Sequence, residues 1–145
     1  MPSLNASVRE DGLIVEVGIA LSTARVEAAK RAGRPPVAPI WVTALLGTGA
    51  SCSVIDTSVV HSLKLIQAGT VQGHTPSTGS NLHTCNLYDG CIAFAKPQVK
   101  VMSLNLPVAE ASLIDQGILA LIGRDVLRQC LLVYNGPAKS FSLSF

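Results

Sequence analysis

A short apolar run that ends in a glycine-rich turn contains the first residues in this sequence whose types and spacing could do chemistry. Ala44-Leu45-Leu46 leads directly into Gly47-Thr48-Gly49-Ala50-Ser51. A strand that ends in such a turn can present backbone N–H groups, a nucleophile or a carboxylate to a bound molecule. We therefore consider phosphate binding, nucleophilic catalysis and acid–base catalysis in turn.

Phosphate binding is the first alternative. Gly47 and Gly49 follow an apolar segment, but Cys52 stands where the dinucleotide-binding fingerprint has its third glycine. The rest of the chain also lacks the regular alternation of strands and helices that a doubly wound sheet needs. A small nucleotide-binding module stays an alternative, which thermal stabilisation by nucleotide would support and a mainly-β circular dichroism spectrum would oppose.

Nucleophilic catalysis by Ser51 or Cys52 would require a histidine as base. The flanking sequence is neither a G-x-S-x-G elbow nor a cysteine-protease context, so a turn serine and a core cysteine are the simpler interpretation. The three histidines are scattered, and the cysteines lack zinc-site spacing. We therefore expect buried free thiols and no metal. The residues concerned are His61, His74, His83, Cys52, Cys85, Cys91 and Cys130.

Length and charge limit the classes of function. The chain has 145 residues, of which 48% are hydrophobic, so residues 1–145 are expected to form one domain with a substantial core. A net charge of +2 gives no reason to expect nucleic acid or a membrane surface as partner. No apolar run approaches the roughly 18 residues of a membrane span, and the N-terminus lacks the order of a secretory signal. We expect a cytoplasmic protein whose weakly charged surface includes a subunit interface.

Short extended segments separated by turn residues dominate the chain. About eight strands with two short helices favour a mainly-β barrel or closed sandwich. Residues 22–38 are predicted to be an exposed loop with at most one helical turn, and residues 75–81 the tip of a hairpin that spans 70–95. The predicted strands are 13–21, Ile40–Leu46, 53–55, 70–74, 82–95, 98–109, 119–122, 131–134 and 140–145, and the predicted helices are 56–63, capped by Asp56, and 124–129.

Two segments together resemble the paired signature of the retropepsin family of aspartic peptidases. The turn at Thr48-Gly49 is followed, about seventy residues later, by Leu121-Ile122-Gly123-Arg124. In that family a strand ending in Asp-Thr/Ser-Gly supplies one catalytic carboxylate, and a later apolar-apolar-Gly segment passes beneath it. The resemblance covers residues 13–145 and implies a retropepsin-like closed β-barrel with one or two short helices.

Position 47 departs from the family pattern, because this chain has glycine where the family has aspartate. These enzymes hold two carboxylates that share a proton: one acts as general base on water and the other polarises the scissile carbonyl. A subunit of this size supplies one carboxylate, so a homodimer of this chain would supply none. The resemblance implies an aspartic endopeptidase domain that is inactive as written; the alternative is a natural pseudoenzyme that binds peptides or acts as a scaffold. We expect no rescue by Asp56, Asp89, Asp115 or Asp125.

The resemblance also implies roles for other residues. The Thr48 hydroxyl would bond to the partner subunit, and Gly49 would let the substrate backbone approach closely. Ser51 stands where retroviral members commonly have an acid that pairs with the arginine matching Arg124, so that ion pair is not expected here. The implied substrate is an extended peptide bound by strand addition, with no cofactor. The implied cleft residues are Ala50, Ser51, Ile122 and Gly123, with Thr75, Pro76, Ser77, Thr78 and Gly79 in a flap.

Dimerisation has a second argument in the sequence. The apolar segments at residues 13–17 and 141–145 would leave exposed strand edges unless they are paired. By resemblance, residues 141–145 also lie where the family builds its dimer sheet. We therefore expect a homodimer.

Overall fold

The structure is a computed structural model that describes residues 2–73, 83–96 and 99–145. Strands dominate these residues, as the sequence predicts. The strands are β1 (Ser3–Ser7), β2 (Ile14–Ala20), β3 (Ile40–Leu46), β4 (Val54–Asp56), β5 (Ile66–Gly73), β6 (His83–Lys96), β7 (Val99–Ala111), β8 (Ala120–Ile122), β9 (Leu131–Asn135) and β10 (Ser140–Ser144). The helices are α1 (Thr23–Arg31), α2 (Thr57–Leu63) and α3 (Arg124–Leu127), with one 3-10 turn at Ile114–Gln116.

Six strands close into a barrel. The larger sheet has the order β2-β3-β8-β4-β7-β6-β5, and β2 also pairs with β6, which joins the two sides and leaves β5 outside the ring. The prediction of a mainly-β closed barrel is confirmed, with three α-helices in the described part of the chain rather than one or two. No helix among the described residues is long and apolar enough to cross a membrane.

The short strand β8 is inserted between β3 and β4. It runs parallel to β3, with Leu46 opposite Ile122, and antiparallel to β4, with Val54 opposite Leu121. This insertion brings the end of β3 next to the end of β8, although the two strands are far apart in the sequence. The turn at residues 47–51 and the segment 122–124 are therefore neighbours.

The barrel interior is built from alternating apolar residues. On β3, Val42, Ala44 and Leu46 are buried, whereas Trp41 and Thr43 are exposed. The β3 run has almost no polar residues, which favours a strand buried on both faces; the structure buries only one of them. The outer face tolerates Trp41 because its ring covers Gly18 of β2, where an added Cβ would lie 3.2 Å from the indole.

A three-stranded antiparallel sheet with the order β1-β10-β9 packs against the barrel. β10 is its central strand: Ser144 lies opposite Ser3 on one side and opposite Leu131 on the other. Phe141 and Leu143 point into the core. The sequence did not predict β1. Because β10 is paired on both edges, the argument that residues 141–145 leave a free strand edge was wrong. β2 pairs with β3 along residues 14–19 and with β6 only at residues 18–20.

Residues 22–38 also differ from the predicted loop, since nine of them form α1. The physical reason is composition: alanine, glutamate, lysine and arginine have high helix propensity, and Glu27 and Arg31 form an i,i+4 ion pair at 3.8 Å. The helix buries no residue, so the expected exposure is observed. Pro35 and Pro36 lie beyond its end and do not interrupt it.

Candidate active-site cleft

The glycine turn after β3 is bound to the segment after β8 by backbone hydrogen bonds. The N–H of Gly47 donates to the carbonyl of Ile122 at 2.8 Å, and the N–H of Arg124 donates to the carbonyl of Ala50 at 2.9 Å. Within the turn, the N–H of Ala50 donates to the carbonyl of Gly47 at 3.1 Å. The two segments that carry the family resemblance therefore form one unit.

The Arg124 side chain fixes the tip of this turn. Its Nη1 donates to the backbone carbonyl of Thr48 at 2.9 Å. Thr48, Gly49 and Ser51 are exposed, while Ala50 is partly buried. With serine at position 51, the arginine bonds to the turn backbone, and the turn presents its own backbone to solvent.

Gly47 is half-buried, and the side chain of Leu121 lies against it. An ideal Cβ on Gly47 would be 2.8 Å from Cδ1 of Leu121 and 3.7 Å from Cβ of Ala50. The backbone of Gly47 is outside the left-handed region, so a side chain is not forbidden there by conformation. A side chain at position 47 therefore needs only the end of Leu121 to move.

Gly123 is constrained much more tightly. A Cβ at this position would lie 2.7 Å from the carbonyl carbon and oxygen of Cys52 and 3.0 Å from the carbonyl oxygen of Ala50. These are backbone atoms, which cannot rotate out of the way. Gly123 is therefore required for the close approach of the two segments.

A serine and an aspartate brace the same junction from inside. The N–H of Ser53 donates to Oδ2 of Asp125 at 2.8 Å, and its hydroxyl donates to Oδ1 at 2.7 Å. Ser53 Oγ also accepts from the N–H of Gly123 at 3.0 Å. Asp125 also accepts from the N–H of Val126 in α3 at 2.9 Å. Sequence reasoning missed the bond between Ser53 and Asp125 because the two residues lie 72 positions apart.

The other carboxylates that might have replaced an aspartate at position 47 have different surroundings. Asp56 caps α2, as predicted, by accepting from the N–H of Ser58 at 2.9 Å. It also accepts from the N–H of Leu113 at 2.7 Å. The Ser22 hydroxyl donates to Asp89 at 2.6 Å, and Asp115 is exposed in the 3-10 turn. Asp56, Asp89 and Asp125 thus already serve structural hydrogen bonds.

Cys52 borders a cavity of about 320 Å³ on the flank of the turn. Burial raises the pKa of its thiol, and the negative charge of Asp125 and the nearby Cys85 raise it further. A protonated thiol is a poor nucleophile, which argues against Cys52 as a catalytic residue. Asp125 and Arg128 also line the cavity, together with the apolar residues Val71, Leu87, Leu104, Leu106 and Pro107.

Among the residues that the structure describes, neither the histidines nor the predicted flap supplies a catalytic group. His61 is exposed on α2, with Nε2 3.6 Å from Oε1 of Glu110. The arms of the predicted hairpin pair antiparallel as β5 and β6. Its tip, including Thr75, Pro76, Ser77, Thr78 and Gly79, lies outside the described residues, as does His74. Within the described ranges, no group of three or more His, Cys, Asp or Glu side chains could hold a metal ion.

Comparison with solved structures identifies the fold. The crystal structure of a retropepsin-like aspartic protease from Rickettsia conorii matches with a TM-score of 0.54 and 13% sequence identity, over 99% of this chain and 91% of that chain. EIAV protease complexed with the inhibitor HBY-793 gives a TM-score of 0.41 and 20% identity, over 81% of this chain and 86% of that chain. No protein-family profile and no curated protein matches the sequence. The fold is thus retropepsin-like.

Proposed function

We propose that this chain is a retropepsin-like aspartic endopeptidase domain that acts on extended peptides as a homodimer and lacks its catalytic aspartate at position 47. The observation that carries the proposal is the junction between Gly47 and Ile122, where the end of β3 meets the end of β8. In this fold, that junction would hold a carboxylate on residue 47 beside the exposed turn. The other parts of the junction, Gly123 and Arg124, are intact.

The missing carboxylate accounts for the expected lack of hydrolysis. Each positioned acid or base contributes typically a hundredfold to ten-thousandfold in rate, and groups that act as a unit fail together. Glycine has no group that transfers a proton. Because Asp56 and Asp125 are held by other hydrogen bonds, neither is free to take over the role.

Peptide binding would survive the loss of the carboxylate. The exposed backbone at Thr48 and Gly49 can accept an extended peptide, whose main chain supplies most of the hydrogen bonds in strand addition. The cavity beside Cys52 lies on the flank of the same turn. A homodimer would place two such turns together, as a chain with one copy of the motif requires.

A natural peptide-binding pseudoenzyme is the second candidate, and Leu121 favours it. Its Cδ1 occupies the space beside Gly47 that a side chain at this position would enter. A leucine side chain in the space of the missing carboxylate is expected in a protein that binds peptides without cleaving them. The two candidates predict different results when the carboxylate is restored.

The test compares the wild-type chain with Gly47→Asp on a broad peptide library from acidic to neutral pH, with a pepstatin-type inhibitor. Ser51→Asp is the matched control, because it adds an acid to the same turn at an exposed position. Inhibitor-sensitive cleavage by Gly47→Asp alone would support the endopeptidase proposal. Peptide binding by a wild-type dimer, without cleavage by either chain, would favour the pseudoenzyme. A folded Gly47→Asp protein that neither binds nor cleaves any peptide would overturn both.

A further inference from the structure

Two cysteines, Cys52 and Cys85, lie close together beside the cavity on the flank of the glycine turn. Cys52 lines this cavity of about 320 Å³, as do Val71 of β5 and Leu87 of β6. Cys85 pairs with Val71 across the β5–β6 hairpin and lies two residues before Leu87 on the same strand. Because cross-strand partners and alternate residues of a strand share one face of a sheet, Cys85 projects from the face that borders the cavity.

The pKa of Cys52 gives an independent sign that the two thiols are neighbours. Burial raises this pKa most, and the charges of Asp125 and Cys85 raise it further. A charge acts strongly on a neighbouring pKa at separations of about 4–6 Å. Both thiols are free in this structure, and both are half-buried, so an oxidant can reach them from solvent.

The other two cysteines are placed differently. Burial raises the pKa of Cys91 and of Cys130, and no other cysteine contributes to either change. Cys91 is buried farther along β6, and Sγ of Cys130 lies 3.7 Å from the carbonyl oxygen of Val126. Among the described residues, Cys52 and Cys85 are therefore the one pair of cysteines positioned to react with each other.

Cys85 lies where the hairpin extends beyond the rest of its sheet. β6 pairs with β7 from Leu87 onwards, whereas residues 83–86 pair with β5 alone among the described residues. Cys52, by contrast, directly precedes Ser53, whose N–H and hydroxyl both donate to a carboxylate of α3. A covalent bond between the two cysteines would attach this end of the hairpin to the barrel.

We propose that Cys52 and Cys85 form a reversible disulfide when the protein meets an oxidant such as hydrogen peroxide. A bond forms between the two Sγ atoms and the O–O bond of one peroxide molecule breaks. Two electrons pass from sulfur to oxygen, and the two thiol protons leave in the two water molecules that result. A dithiol such as dithiothreitol reverses the change, restoring both thiols and becoming a disulfide itself. The inference goes beyond the proposed function, because it requires neither peptide binding nor a dimer.

The disulfide would stabilise the fold, because it closes a loop that contains β4, α2 and β5 and so restricts the unfolded chain. We expect the melting temperature of the oxidised protein to be about 5 °C or more above that of the reduced protein. Burial keeps the Cys52 thiol protonated at neutral pH, and the thiolate is the reacting form. The bond should therefore form faster as the pH rises.

Thiol counting and mass spectrometry test the inference on the full chain. The reduced protein is treated with hydrogen peroxide, and free thiols are counted after unfolding; we expect their number to fall from four to two. The intact mass of a single chain, measured without reductant, should fall by about 2 Da, which distinguishes this bond from a link between two copies. Cleavage after Lys64 and before Asp89 puts the first three cysteines into separate peptides, so the linked pair can be identified.

Single substitutions provide the controls, with circular dichroism to establish that each variant is folded. Cys52→Ser and Cys85→Ser should each keep all remaining thiols after the same treatment and lose the rise in melting temperature. Cys130→Ser is the matched control, because Cys130 is also half-buried; it should still form the bond and keep one thiol.

The peptide analysis of the wild-type protein decides the outcome without any variant. Four free thiols after treatment would overturn the inference, and so would a linked pair other than Cys52 and Cys85. A gain in mass, which would show that single sulfur atoms take up oxygen instead of joining, would overturn it as well.

Discussion

A Cβ atom on Gly47 would lie 2.8 Å from Cδ1 of Leu121, so these two residues compete for one space at the junction of β3 and β8. The contact involves the end of a flexible side chain rather than backbone. Rotation of Leu121 therefore decides whether a side chain can return to position 47. This contact can be measured independently of any activity.

We expect Gly47→Ala to lower the free energy of unfolding by about 1 kcal/mol, the typical cost of displacing one side chain from its preferred rotamer. Gly49→Ala is the control, because an added Cβ there meets no atom within 4 Å, and its effect should stay within about 0.5 kcal/mol. Urea denaturation measures both. In a Leu121→Ala background the cost of Gly47→Ala should disappear; an unchanged cost would show that the two residues do not compete.

Gly123→Ala should be far more damaging than Gly47→Ala. The new Cβ would lie 2.7 Å from the backbone of Cys52, which can move only if the whole turn moves. We expect a loss of about 3 kcal/mol or more in the free energy of unfolding, above the usual range for overpacking against side chains. Urea denaturation and the yield of soluble protein report the result. A loss below about 1 kcal/mol would show that the segments are not in close contact.

Local patterns predicted the elements that position the candidate site. β3 has the predicted bounds Ile40–Leu46, because an apolar run stops at a glycine turn. α2 begins where Asp56 predicts it, because an aspartate before a short helix can accept from the first free N–H groups. The three apolar residues directly before Gly123 predict β8. In each case, neighbouring residues contain the whole signal.

Features that depend on distant partners were not predictable in the same way. β1 alternates polar and apolar residues over only five positions, which is a weak local signal, and the strand is held by its pairing with β10. The bond between Ser53 and Asp125 has no spacing signal, since it forms only when β8 is inserted next to β4. By contrast, the helix within residues 22–38 has a local cause, because its alanines and charged residues favour a helix and the two prolines lie beyond its end.

The Ser53–Asp125 pair should be strongly coupled. Ser53→Ala removes the hydroxyl that bonds both Asp125 and the N–H of Gly123, and it leaves a buried donor without a partner. We expect Ser53→Ala to lower the free energy of unfolding, measured by urea denaturation, by about 2 kcal/mol. A double-mutant cycle with Asp125→Ala should give a coupling energy of about 1–3 kcal/mol. Additive effects of the two substitutions would contradict the direct bond.

Asp56 should make stability depend on pH in the acid range. Although burial opposes its ionisation, hydrogen bonds from Ser58, Leu113 and Ile114 hold the pKa of this carboxyl below its ordinary value of 3.8. A group whose pKa is lower in the folded state stabilises the protein fully above the unfolded-state pKa. That contribution is lost as pH falls through the folded-state pKa. The free energy of unfolding should therefore decrease as the pH drops below about 4.

The matched variants are Asp56→Asn and Asp115→Asn, the second at an exposed position of the 3-10 turn. At neutral pH we expect Asp56→Asn to cost about 1–2 kcal/mol, because the cap and the bonds to residues 113 and 114 are weakened. The gap to wild type should narrow as pH falls below about 4. Urea denaturation as a function of pH measures it. A gap that is constant with pH would contradict the role of the ionised carboxyl.

Arg124 should control the order of the glycine turn more than the stability of the fold. Its guanidinium is exposed and donates to the carbonyl of Thr48, so Arg124→Met should cost less than about 1 kcal/mol of stability. Without this donor the turn is held mainly by its backbone bonds, and the amides of Gly47 and Ala50 should exchange hydrogen faster. Arg128→Met is the control, since Arg128 lines the same shallow depression of about 300 Å³ as Arg124 and Thr48. Arg124→Lys should restore the protection of these amides in part. Equal exchange in the two methionine variants would show that the bond from Arg124 to Thr48 does not hold the turn.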